Sequence, residues 1–155
     1  MSVIIELADL DAEEFTSLIE AHKALMLETT PPESSHALLI DGLKTPQMTV
    51  WEMRENGLLI GCGALKALSD GKSGEIKSMH TVAQFRKGGL GQRMLSHIIA
   101  EARARYYTRL LLETGSQDTF YPARKLYERA GFTYRGPFEG YVDDPHSVFM
   151  ELALG

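Results

Sequence analysis

The chain has 155 residues, 44% apolar and 24% charged, with a formal net charge of −5. That length and composition predict one globular domain over residues 1–155. The acidic balance argues against a nucleic-acid partner, which needs a basic face, and favours a cationic substrate over an anionic one. One cysteine, Cys62, excludes an internal disulfide and fits a reducing compartment. No basic n-region opens the chain and no apolar run approaches the roughly 18 residues of a membrane span, so a cytoplasmic protein with no membrane partner is expected.

Val3 to Leu7 reads as a first strand. Asp11 with Glu14 three residues on resembles a capping box, and Phe15, Leu18, Ile19, His22, Leu25 and Met26 follow at helical spacing. His22 lies on the apolar stripe and reads as a core histidine. Pro31-Pro32 breaks this helix, and Ser34 or Ser35 is placed to cap a short second one through about Leu39. Gln47 to Arg54 alternates as a strand, Asn56-Gly57 signals a two-residue hairpin, and the partner strand runs from Leu58 to about Leu68. A polar turn at Ser69–Gly74 leads to a third strand, Glu75 to Val82, which completes an antiparallel meander.

A helix is predicted from Leu90, with Met94, Leu95, Ile98, Ile99 and Ala102 on one face. Leu110-Leu111-Leu112 reads as a buried strand, parallel to the one before that helix. Ala123, Leu126, Tyr127 and Ala130 mark a further helix, stopped by Gly131 as its C′ glycine. Phe132–Arg135 and Ser147–Leu154 read as the last strands. The order predicts an α/β fold: a mixed, mostly antiparallel sheet with one parallel central pair, flanked by helices.

The stretch Arg86-Lys87-Gly88-Gly89-Leu90-Gly91 joins a strand to a helix. A glycine-rich turn there leaves backbone N–H groups unpaired at the positive end of the helix dipole, a ready site for phosphate. Two well-known phosphate motifs fail. Gly71-Lys72-Ser73 would end a P-loop, but Lys66 stands where its first glycine belongs. Gly61-Cys62-Gly63 and Gly89-Leu90-Gly91 both lack the third glycine of a dinucleotide fingerprint, at Lys66 and Met94.

The pattern that fits is R-x-x-G-x-G, at Arg86, Gly89 and Gly91, directly after a strand and opening a helix. It resembles the acyl-CoA pyrophosphate motif of the GNAT N-acetyltransferase superfamily. Ala123-x-x-Leu126-Tyr127-Glu128-x-x-Gly131-Phe132 resembles that family's second signature, and the element order agrees from Val3 to Leu154. The segment from Tyr141 through Asp144-Pro145 to Met150 resembles one uncharacterised bacterial branch.

The resemblance implies acetyl-CoA as co-substrate and a primary amine, on a small molecule or a peptide, as acceptor. It implies that Arg86, Lys87, Gly88, Gly89, Leu90, Gly91 and Gln92 hold the pyrophosphate, and that main-chain groups of Met79 and Thr81 pair with the pantetheine arm. His80 stands beside that slot, which requires its strand to diverge from the Leu110 strand. A homodimer is one assembly that the resemblance allows.

Acyl transfer to an alkylamine needs the neutral amine, and with a pKa of about 10.4 that amine is mostly protonated at neutral pH. Glu75, eleven residues before Arg86, is the favoured general base on family spacing, with Glu113 at the end of the Leu110 strand as its rival. Either carboxylate is also suited to hold a substrate ammonium. Tyr127 matches the family tyrosine near the CoA sulfur. Full protonation of a thiolate by a phenol is uphill by about 2 kcal/mol, so hydrogen-bond donation is the expected role.

One position departs from the family. Phe120 stands where many relatives carry an asparagine that holds pantetheine, so the contact is lost or taken over by Ser116, Gln117 or Thr119. Cys62 reads as a core residue, and Asp143-Asp144-Pro145 with His146 reads as turn chemistry, with no metal expected. The segments Pro31–His36 and Pro137–His146 flank where family substrates enter. An acyl-CoA binding or sensing module with little turnover is the alternative to an enzyme.

Overall fold

The structure, a computed structural model, describes residues 2–34, 38–82 and 88–155. In chain order the elements are β1 (Val3–Leu7), α1 (Glu13–Thr29), a 3-10 turn (Pro32–Ser34), α2 (Ile40–Leu43), β2 (Met48–Glu55), β3 (Leu58–Ala67) and β4 (Ser73–Thr81). Then come α3 (Leu90–Ala104), β5 (Arg109–Gly115), a second 3-10 turn (Asp118–Phe120), α4 (Tyr121–Arg129), β6 (Thr133–Arg135) and β7 (Ser147–Ala153). The strands form one seven-stranded sheet in the order β1-β2-β3-β4-β5-β7-β6. β4 and β5 are parallel, and every other neighbouring pair is antiparallel.

The meander β2-β3-β4 follows from local chemistry. Asn56 and Gly57 both take positive φ, 50° and 84°, so the turn twists with the strands it joins. The β4–β5 pair is parallel because α3 intervenes and carries the chain back across the sheet.

Side chains alternate between two faces along each strand. On one face Ile60, Leu65, Ile76, Leu110, Leu112 and Met150 form the main core with Leu90, Met94, Leu95, Ile98 and Ala102 of α3 and Tyr127 of α4. On the other, Phe15, Leu18 and Ile19 of α1 cover Val50, Cys62 and Ala64. Farther along that second face, Leu68, Leu111, Phe138 and Phe149 make a smaller cluster under the loop before β7. Between these two apolar patches lies the polar stretch of β4 that carries Glu75 and Lys77.

One expected helix start is corrected. Asp11 does not cap α1: the N-cap is Ala12, with no side-chain bond. Asp11 instead binds Lys44 Nζ at 2.8 Å, and Glu14 pairs with Arg54, so tertiary ion pairs displace the capping box. The helix expected from Ser34 or Ser35 to about Leu39 falls mainly on residues 35–37, which lie outside the described residues. Ser34 closes a single 3-10 turn and α2 begins only at Ile40. The Ser34 hydroxyl donates to Asp144 Oδ2 at 2.5 Å, a contact across 110 residues. Ser35 lies outside the described residues.

The end of α4 agrees with expectation in detail. Gly131 has φ +104°, its N–H donates to Glu128 O at 3.0 Å, and the Phe132 N–H donates to Tyr127 O at 3.0 Å. This is a Schellman cap, and the rings of Tyr127 and Phe132 supply its apolar contact at 5.6 Å. Replacing Gly131 by Ala is expected to cost about 1–2 kcal/mol, because an L residue is strained at positive φ. A denaturant midpoint lowered at constant m-value would register it, and an unchanged midpoint would contradict the capping account.

Candidate active site

β4 and β5 pair only from Ser73↔Arg109 to Ile76↔Leu112. Beyond that point each strand stays with its other neighbour. β5 continues along β7 to Gly115↔Ser147, and β4 continues along β3 to Thr81↔Gly61. The sheet therefore forks after Ile76 and Leu112. The divergence that the sequence reading requires is present, with Lys77–Thr81 on one side and Glu113–Gly115 on the other.

A bulge re-aims β4 at this fork. Cys62 pairs with His80 and Ala64 with Lys77, so Gly63 faces two residues, Ser78 and Met79. Ser78 has φ +53°, and its carbonyl accepts from Cys62 Sγ at 3.1 Å. Past the bulge, Val82 N donates to Ile60 O of β3 at 2.8 Å. N–H groups alternate between the two edges of a strand, so those of Thr81 and Met79 turn toward the open edge. Cys62 itself is core, as expected: it is buried, and burial pushes its thiol up to about 12.

The fork leads to the N-terminus of α3. Gly89 is the N-cap in a left-handed conformation, φ +75°, with no side-chain cap, and nothing lies within 4 Å of where its Cβ would be. Leu90, Gly91 and Gln92 form the first helical turn, whose N–H groups have no intrahelical partner. Gly88 precedes the cap. Arg86 and Lys87, the other expected pyrophosphate residues, lie outside the described residues.

On the second face of the sheet, polar groups converge at the base of the fork. Glu75 is 2% exposed, and its Oε2 accepts from the Tyr141 hydroxyl at 2.7 Å and from Lys77 Nζ at 3.2 Å. Lys77 Nζ also donates to the Tyr141 oxygen at 2.8 Å, which closes a three-membered ring of contacts. Burial is the main reason that the Tyr141 phenol is driven far above its ordinary range, and the charges of Glu75 and Glu113 add to it. Glu113 is the first β5 residue past the fork and accepts from Ser147 Oγ at 2.8 Å. The two rival carboxylates are thus brought to one face.

His22 of α1 and His80 of β4 meet at 2.9 Å between their Nδ1 atoms, so one ring donates and the other accepts. The segments expected to flank substrate entry are tied to each other by the Ser34–Asp144 bond. Asp144 also accepts from His146 N at 2.8 Å, the turn chemistry anticipated for that loop. Residues 35–37 of the first segment lie outside the described residues.

Tyr127 is buried on the opposite face, and burial raises its phenol well above the ordinary value. Among the described residues its hydroxyl has no hydrogen-bond partner. The Phe120 ring packs over Gly115, where a Cβ would lie 2.1 Å from it. Ser116 Oγ is committed to Pro145 O at 2.5 Å, and Gln117 Nε2 to Thr29 O at 2.9 Å. Gln117 Oε1 remains buried without a partner among the described residues.

Sequence reasoning gave no role to Lys77, Ser147 or Tyr141. The spacing Glu75-x-Lys77 does put both side chains on one strand face, a signal open to inspection. The Tyr141 contact, 66 residues from Glu75, leaves no local trace.

Comparison with known proteins bears on this geometry. The model of the acetyltransferase (GNAT) family matches residues 6–132. The chain is 49% identical over 150 residues to the uncharacterized N-acetyltransferase YsnE of Bacillus subtilis, covering 97% of this chain and 99% of that one. A solved structure described as an acyl-CoA N-acyltransferase, from Klebsiella pneumoniae, superposes with a TM-score of 0.80 at 33% identity, covering 99% and 98% of the two chains. A Salmonella typhimurium acetyltransferase structure with its cofactor acetyl-CoA shares the fold at a TM-score of 0.74 and 21% identity, covering 99% and 94%. The forked sheet opening toward an uncapped helix therefore has a name: this chain belongs to the acetyltransferase (GNAT) family, whose members use acetyl-CoA as acetyl donor.

Proposed function

We propose that this protein transfers the acetyl group of acetyl-CoA directly to a primary amine, in one site and without an acyl-enzyme. The observation that carries this reading is the open β4 edge leading to the bare N-terminus of α3. A pantetheine arm carries amide groups that match the N–H and C=O groups along a strand edge, and a diphosphate matches the helix N-terminus. In this reading Met79 and Thr81 pair with the arm beside His80. Gly88, Gly89, Leu90, Gly91 and Gln92, with Arg86 and Lys87, hold the diphosphate. The Met79 N–H polarises the thioester carbonyl.

Glu75 is the general base. Its 2% exposure means that the proton arrives through an intermediate group rather than by direct contact with the acceptor. Glu113, nearer the fork mouth, offers its charge to the acceptor ammonium. Tyr127 donates a hydrogen bond to the departing sulfur. Its raised pKa favours sharing its proton over giving it up. Catalysis comes mainly from holding amine and thioester together.

Three outcomes test this. Gly89→Glu sets a carboxylate against the diphosphate and strains a positive φ, so calorimetry with CoA should lose its heat while far-UV circular dichroism stays native. Wild-type affinity in that variant would count against the diphosphate site. Glu75→Gln should lower turnover about 100-fold or more on an alkylamine while leaving the KM for acetyl-CoA in place. Unchanged turnover would move the base role to Glu113. Tyr127→Phe should lower kcat by about tenfold, near 1.4 kcal/mol, with CoA affinity kept. Thiol release measured across a panel of amines also separates enzyme from sensor, since a sensor binds CoA tightly and releases no thiol with any of them.

A further inference from the structure

We propose that Tyr141 is a catalytic residue that relays the acceptor's proton to Glu75. This rests on Glu75 being the base. Glu75 is 2% exposed and lies below the fork, opposite Leu111 in the paired part of the sheet. Its Oε2 is covered by Lys77 and Tyr141, at 3.2 and 2.7 Å. A carboxylate so placed is out of an amine's reach. Tyr141 is only half-buried, and its hydroxyl is hydrogen-bonded to a residue on each side of Ile76, where the fork begins.

The rest of the loop fixes that hydroxyl. The Tyr141 ring packs against Phe138 and Phe149 at 5.1 and 5.4 Å. Glu139 accepts from Ser69 N at 3.1 Å, Asp144 from Ser34 Oγ at 2.5 Å, and Pro145 O from Ser116 Oγ at 2.5 Å. A loop held at this many points is built to position a group. A phenol that resists ionisation suits a relay, because it accepts one proton only as it gives up another.

The proton count closes. An ammonium N–H proton moves to Tyr141 Oη as the Tyr141 proton moves to Glu75 Oε2, so the phenol is neutral before and after. The amine then attacks the acetyl carbonyl, the C–N bond forms and the C–S bond breaks. A second nitrogen proton leaves with the thiol. Glu75 returns its proton to solvent along the same path, aided by the Lys77 ammonium that disfavours a neutral partner.

The test uses the full chain, acetyl-CoA and whichever primary alkylamine turns over fastest in a panel of monoamines, diamines, amino acids and aminoglycosides. Tyr141→Phe, Glu75→Gln and the double variant are compared. The relay predicts that each single change lowers kcat about 100-fold with the KM for acetyl-CoA unchanged, and that the double variant is no slower than either. Both deficits should shrink together as pH rises toward the amine's own value of about 10.4, where solution supplies free amine. The titratable groups facing the hydroxyl are Glu75, Lys77 and Glu113.

Turnover of Tyr141→Phe within about threefold of wild type, beside a crippled Glu75→Gln, would overturn the relay and leave the base standing. Effects that multiply in the double variant would overturn it too. Wild type that acetylates no amine, or both variants fully active, would remove the base and the relay together. Should the Phe variant fold poorly, kcat of wild type across mixtures of light and heavy water decides: a bowed dependence reports two protons in flight, and a straight line contradicts the relay.

Discussion

Everything in this molecule depends on where two parallel strands stop pairing. β4 and β5 are bonded for four register positions and then part, each held by an antiparallel neighbour that continues alongside it. Antiparallel ladders are the firmer partners, so the separation costs little on the outer sides. The open edge that results would be a liability in an ordinary sheet. Here it is internal to the sheet, and in the proposed reading an amide-bearing chain takes the place of the missing strand. The Ser78 bulge shows how the divergence is made: an extra residue turns β4 while Cys62 steadies the displaced carbonyl.

The same fork organises the charges. Its lower end is a dry place for a carboxylate, and leaving one there without a partner costs about 3–5 kcal/mol. Glu75 is tolerated because an ammonium and a phenol meet one of its oxygens, and both come from positions that the fold brings together: Lys77 two residues along the strand, Tyr141 from the loop before β7. The opposite end is electropositive without any side chain, because α3 starts at a glycine and presents bare N–H groups. A donor with a charged tail and a neutral reactive head matches such a gradient.

What sequence reveals and hides divides along the length scale of the interactions. The Asn56-Gly57 hairpin, the Gly89 cap and the Gly131 Schellman cap each rest on backbone conformations that few residues adopt, so their chemistry is written in adjacent letters. The parallel pair and its α3 crossover follow from periodicity and connection length. The capping role expected of Asp11 failed for the opposite reason: Lys44 and Arg54 compete for the two acidic side chains, and no local pattern records it. The bond between Ser34 and Asp144, 110 residues apart, is equally invisible to local pattern. Glu75 and Glu113 were visible as candidates, whereas the partners that set their surroundings, Tyr141 and Ser147, lie 66 and 34 residues away. His22 was recognised as a core histidine, but its partner His80 emerges only from the packing of α1 on β4.

Amide hydrogen exchange at Met79 and Thr81 tests the central idea most directly. If the pantetheine arm completes the sheet, saturating acetyl-CoA should slow exchange at both positions by at least about tenfold. The nucleotide fragment 3′,5′-ADP, which lacks the arm, should leave them unchanged. Equal rates with and without acetyl-CoA, at a concentration where binding is verified, would mean that the fork is not where the coenzyme lies.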